Sequence, residues 1–115
     1  MLEKTKHMVM LLDCYSPLLT AKQGQVLNLY YELDLTISEI AENMDTSRQA
    51  IFDLLKRAEH SLINYENKLG LVVKFREAHE KLEEVYNLID QQDEDKTNDL
   101  TEALEILREV KDRIL

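Results

Sequence analysis

Ser47, Arg48, Gln49 and Phe52 follow a turn and open a helical stretch. Their side chains suit the reading of base edges: Arg48 can pair with guanine, Gln49 with adenine, and Phe52 can touch a thymine methyl. Lys22, Thr36, Ser38, Thr46, Lys56 and Arg57 surround them with groups that bond phosphate oxygens, aided by the partial positive charge at helix N-termini. The chemistry on offer is therefore non-covalent recognition of a nucleic-acid groove. Asp45 in the turn and Asp53 on the same outer face oppose it electrostatically.

Such residues work only if short helices hold them. Residues 36–58 have the pattern of a helix-turn-helix. Thr36 with Glu39 is a capping box, Ile37, Ile40, Ala41 and Met44 form an inner face, and Ala41 is the small residue on which a second helix crosses. Thr46 with Gln49 reads as another capping box, so the first of these helices spans about 37–44 and the second starts near 47. That second helix turns Ile51, Leu54 and Leu55 inward. Its seam of Ile51, Leu55, Ala58, Leu62, Tyr65 and Leu69 continues to a natural C-cap at Gly70.

Two helices precede the pair. Met8, Leu11, Leu12 and Tyr15 give a stripe over residues 3–15, stopped by Pro17. Thr20 with Gln23 caps a helix over 21–33 whose buried face is Val26, Leu27, Tyr30 and Leu33. After Gly70 the heptad spacing restarts in a new phase. Leu71, Phe75, Ala78, Leu82, Val85 and Ile89 form one seam, the acidic stretch 90–96 interrupts it, and Leu100, Ala103, Leu107, Val110 and Ile114 form the other. Two matched seams joined by a short loop predict an antiparallel hairpin. Val72, His79, Tyr86 and Leu88 on its first helix, with Leu104, Ile106 and Leu115 on its second, are more apolar surface than one hairpin covers. Dimerisation through 71–115 is therefore expected, with Val72, Phe75, Leu82, Tyr86, Ile106 and Leu107 at the interface.

The composition agrees with an all-α chain. Among 115 residues there are 2 Gly, 1 Pro and no Trp, 44% are hydrophobic and 32% charged. The formal net charge is −9: residues 1–70 carry 7 basic and 10 acidic groups, net −3, and residues 71–115 carry 7 and 13, net −6. The recognition stretch thus sits in the less acidic part. So few cations reaching phosphate imply weak binding by one copy at physiological salt, and a dimer for useful affinity.

Other chemistries find no support. Cys14 alone can form neither an internal disulfide nor a thiolate metal site, and reads as a core residue. His7, His60 and His79 share no ligand spacing. The segment from Asp93 resembles a calcium loop, but has Asn98 where glycine is required and Leu104 where the bidentate glutamate belongs. There is no glycine-rich phosphate loop and no paired nucleophile and base. The expectation is a non-enzyme without cofactor or metal. The apolar run near the N-terminus is too short for a signal peptide or a membrane span, which predicts no membrane insertion and a cytoplasmic location.

The run "LTAKQGQVLNLYYELDLTISEIAENMDTSRQAIFDLLKRAEHSLINYENKLGL" resembles the YlxM family of small bacterial helix-turn-helix proteins, over residues 1 to about 90. Its core is similar to region 4 of bacterial sigma factors, from which it differs in having Phe52 and Asp53. The resemblance implies a winged-helix-like or sigma region 4-like core over 1–70 and a C-terminal helical hairpin over 71–115. It also implies a DNA-binding regulator facing DNA with Ser47, Arg48, Gln49, Phe52 and Lys56, and a link to the signal recognition particle pathway. The alternative it leaves is a module that docks a targeting GTPase or the particle's RNA without binding DNA specifically.

Overall fold

The computed structural model describes residues 2–90 and 96–114. The acidic interruption after Asp90 and the start of the calcium-loop-like segment at Asp93 lie outside the described residues. The fold is all-α: α1 (Leu2–Tyr15), α2 (Ala21–Leu27), α3 (Ile37–Asn43), α4 (Arg48–Leu69), α5 (Leu71–Asp90) and α6 (Lys96–Glu109), with no strand among the described residues. The chain divides into two compact units, Met1–Gly70 and Leu71–Leu115.

In the first unit α4 is the spine against which α1, α2 and α3 pack. Met8, Leu11, Leu12 and Tyr15 from α1, Val26 and Leu27 from α2, and Ile40 and Ala41 from α3 are buried with Ile51, Leu55, Ala58 and Leu62 of α4. Burying each large member contributes about 1.5–3 kcal/mol, far more than helix propensity gives a seven-residue α2 or α3 alone. Tyr65 keeps its ring 5.9 Å from that of Tyr15 and donates its hydroxyl to the Leu18 carbonyl at 3.1 Å. Tyr15 in turn donates to Glu66. The inner seam of α4 is thus followed as far as Tyr65, whereas Leu69 is exposed.

The second helix departs from the expected α-helix over 21–33. It is α-helical only to Leu27, then widens into a π-turn over Asn28–Glu32, where the Leu33 N–H reaches back five residues to the Asn28 carbonyl at 3.1 Å. The extra residue in that turn shifts the register, so Leu33 lies exposed instead of joining Val26 and Leu27. It also carries Tyr31 to Glu59 of α4, to whose carboxylate the phenol donates at 3.1 Å. Asp34 then reverses the chain with φ of 55°.

Gly70 ends α4 in the left-handed conformation, φ 62°, and its N–H donates to the Glu66 carbonyl at 2.8 Å. In the second unit α5 packs along α6 and the π-turn Val110–Ile114 that extends it. A Lys81 to Glu109 ion pair at 3.7 Å ties the two antiparallel runs. His79, grouped in sequence with apolar neighbours, is exposed and pairs with Glu83 at 3.4 Å.

Candidate nucleic-acid interface

Thr36 caps α3 through a reciprocal box: its hydroxyl accepts from the Glu39 N–H at 3.1 Å, and Glu39 accepts from the Thr36 N–H at 3.2 Å. The Thr36 oxygen is therefore already engaged, although the residue is exposed. Ala41, 5% exposed, faces the crossing helix, and its carbonyl accepts from the Thr46 N–H at 2.9 Å to close the turn. Asp45 occupies the left-handed turn position with φ of 52°, a conformation that aspartate tolerates through local hydrogen bonding.

The cap of α4 differs from the expected box of Thr46 and Gln49. Ser47 is the N-cap, its hydroxyl accepting from the Ala50 N–H at 3.1 Å. Thr46 sits one residue too early, because its own N–H is committed to closing the turn. Gln49, released from capping, donates its amide to Asp53 at 3.1 Å. Ser47 retains its hydroxyl proton as a donor, whereas Gln49 must break the Asp53 bond before it can reach a base.

Ser47, Arg48, Gln49 and Phe52 are all exposed, the first at the N-cap of α4 and the others within its first two turns. With Ser38 and Thr46, Arg48 lines an open groove at the corner between α3 and α4, and the carboxylates of Glu42 and Asp45 line it too. Phe52 does not stand free. The Lys56 ammonium lies 5.5 Å from its ring centroid and 3.9 Å from a Glu59 carboxylate oxygen, so Lys56 is held along the helix. Arg57 and Lys22 are exposed. The structure thus brings Ser38, Thr46, Ser47 and Arg48 around one groove, engages Gln49 and Lys56 with neighbours on α4, and leaves Arg48 as the guanidinium best placed at the helix start.

Sequence reasoning missed Glu59. It is buried on α4, accepts from Tyr31 and faces Lys56. Burial, the Glu59 charge beside it, and its hydrogen bond to that carboxylate push the Tyr31 phenol well above the ordinary tyrosine value. Glu59 directly follows the inward Ala58 on the α4 seam, and an acid there is a signal, but its partner lies 28 residues away across a π-turn that no spacing announces. Cys14 is half-buried, and burial, followed by the negative charge of Glu66, raises its thiol pKa.

Of the six residues expected at a dimer interface, Phe75, Leu82, Tyr86 and Leu107 are exposed and Ile106 is half-buried. Val72 is 4% exposed and has no surface to offer a partner. No described helix is long and apolar enough to cross a membrane.

Known proteins bear on this arrangement. The chain is 51% identical over 88 residues to a UPF0122 protein of Desulforamulus reducens, covering 76% of this chain and 75% of that one. It is 48% identical over 109 residues to one of Bacillus velezensis, covering 92% and 97%, and 46% identical over 92 residues to one of Halalkalibacterium halodurans, covering 80% and 84%. The family profile matches residues 2–108, so α3, its turn and α4 fall within it, and this chain belongs to the UPF0122 family of YlxM/p13-like helix-turn-helix proteins.

Proposed function

We propose that residues 36–58 bind duplex DNA and that the protein acts as a regulator, with Ser47, Arg48, Gln49 and Phe52 toward the bases and Lys22, Thr36, Ser38, Thr46, Lys56 and Arg57 toward phosphates. The observation that carries this reading is the exposed Arg48 on the first turn of a 22-residue helix, beside a groove floored by Ala41. An arginine there joins a bidentate donor to the positive end of the helix dipole. A cytoplasmic, non-enzymatic role follows from this reading.

A second reading rests on Glu42 and Asp45, which line the same groove and suit a basic protein surface better than phosphate. With the family resemblance, it makes the module a docking site for a signal recognition particle GTPase; docking of the particle's RNA, the other form of this alternative, rests on the resemblance alone. Titrating the full chain with duplex DNA and with signal recognition particle RNA across a salt series separates these readings. Affinity for duplex DNA that falls with salt, and falls further in Arg48→Ala, supports DNA binding; RNA preferred over DNA supports the ribonucleoprotein role. A flat salt dependence for both removes nucleic acid and leaves protein docking.

A further inference from the structure

The hairpin of the second unit alternates in a way that one copy does not satisfy. Along α5 the seam runs Phe75, Ala78, Leu82, Val85, Ile89, and along α6 it runs Leu100, Ala103, Leu107, Val110. In both helices the small members are buried and the large ones are not: Ala78, Val85, Ala103 and Val110 are at most 7% exposed, while Phe75, Leu82, Ile89, Leu100 and Leu107 are 39–54% exposed. Small residues between two helices let them approach closely. Large residues in the alternate positions of the same seam are the half-core of a bundle with two further helices.

We propose that this face is the dimer interface, covered by the same face of a second copy, so that two hairpins form a four-helix bundle about a two-fold axis near Leu82. Three observations select a second copy as the occupant. The first is area. Half-exposed side chains of this size leave roughly 90–100 Å² each, so the five large residues with Tyr86 and Leu104 offer roughly 600–700 Å² per copy, near the ~800 Å² per partner of a standard interface.

The second is register. Phe75 and Ile89 lie seven residues before and after Leu82. An antiparallel pairing of α5 with its two-fold mate therefore sets Leu82 on Leu82 and Phe75 on Ile89, which makes the row complementary to itself. The third is charge. Lys74 and Arg76 flank the N-terminal end of the row, and Glu83 and Asp90 flank its C-terminal half, so the same antiparallel pairing brings opposite charges together. The net −6 of residues 71–115 at the same time disfavours an anionic membrane or nucleic acid as the cover.

The proposal does not depend on DNA binding, because it is tested without nucleic acid. Sedimentation equilibrium of the full chain is expected to give twice the 13.5-kDa mass. Leu82→Glu should raise the dimer dissociation constant by on the order of 100-fold or more, with helicity by circular dichroism retained. Should that variant unfold, a Cys14→Ser background with Leu82→Cys is expected to oxidise to a covalent dimer, whereas Glu84→Cys, on the opposite side of α5, is not. A chain that stays monomeric up to about 100 μM leaves the face to another protein's apolar helix and overturns the proposal. A dimer undiminished by Leu82→Glu, or cross-linking equally well at position 84, overturns it as well.

Discussion

Arg48, Gln49 and Lys56 have similar recognition chemistry, but their surroundings differ. Gln49 is bonded to Asp53, and Lys56 lies between the Phe52 ring and Glu59. Arg48→Ala should therefore weaken specific DNA binding by about 1–3 kcal/mol in an anisotropy titration, and Lys56→Ala by less. Tyr31 makes a different prediction. Tyr31→Phe removes the proton that the buried Glu59 accepts, and thermal or denaturant unfolding should show a loss of about 1–3 kcal/mol. Because the folded phenol titrates above its unfolded value of 10.0, its contribution is complete below that pH and is lost as pH rises beyond it. Spectrophotometric titration should find phenol ionisation that is delayed beyond the ordinary tyrosine range, and Tyr31→Phe should remove one phenol from that late-ionising set.

The elements around the site are set by their ends. Ser47 caps α4, so Ser47→Ala should cost about 0.5–2 kcal/mol and Thr46→Ala distinctly less in denaturant unfolding. The reverse order would restore the box of Thr46 and Gln49. Gly70 closes the other end with φ of 62°, and although a Cβ there would meet nothing within 4 Å, Gly70→Ala should still cost about 1–2 kcal/mol. The penalty comes from the backbone, not from crowding. Ahead of α4, the seven-residue α3 is held by two reciprocal cap bonds and by the burial of Ile40 and Ala41, which lets so short a helix position a groove.

For the molecule as a whole, charge governs how strongly DNA could be held. Of the four cations proposed to face DNA, Lys56 is held along α4 and Arg48, Arg57 and Lys22 are exposed, in a chain of net charge −9. Neutralising two or three phosphates per copy implies a log-log salt slope of roughly −2 to −3, measurable by titration between low and physiological salt. A bivalent dimer would double that slope and raise affinity by avidity without any new kind of contact.

Much of this architecture is local and hence legible. The stripe of Met8, Leu11, Leu12 and Tyr15, the capping boxes at Thr20 and Thr36, the turn around Asp45 and the stop at Gly70 each depend on residues within about one or two helical turns. Composition and periodicity therefore determined an all-α chain with a short helix crossing the head of a longer one. What needed tertiary structure was every choice between equivalent local options. Ser47 capped α4 because the Thr46 N–H was drawn to Ala41. A π-turn displaced Leu33 and delivered Tyr31 to a buried Glu59. In the hairpin, periodicity marked the seam, but only packing decided that its small residues would be buried and its large ones left outward. Spacing fixes the face on which a side chain lies, whereas burial depends on what that face meets.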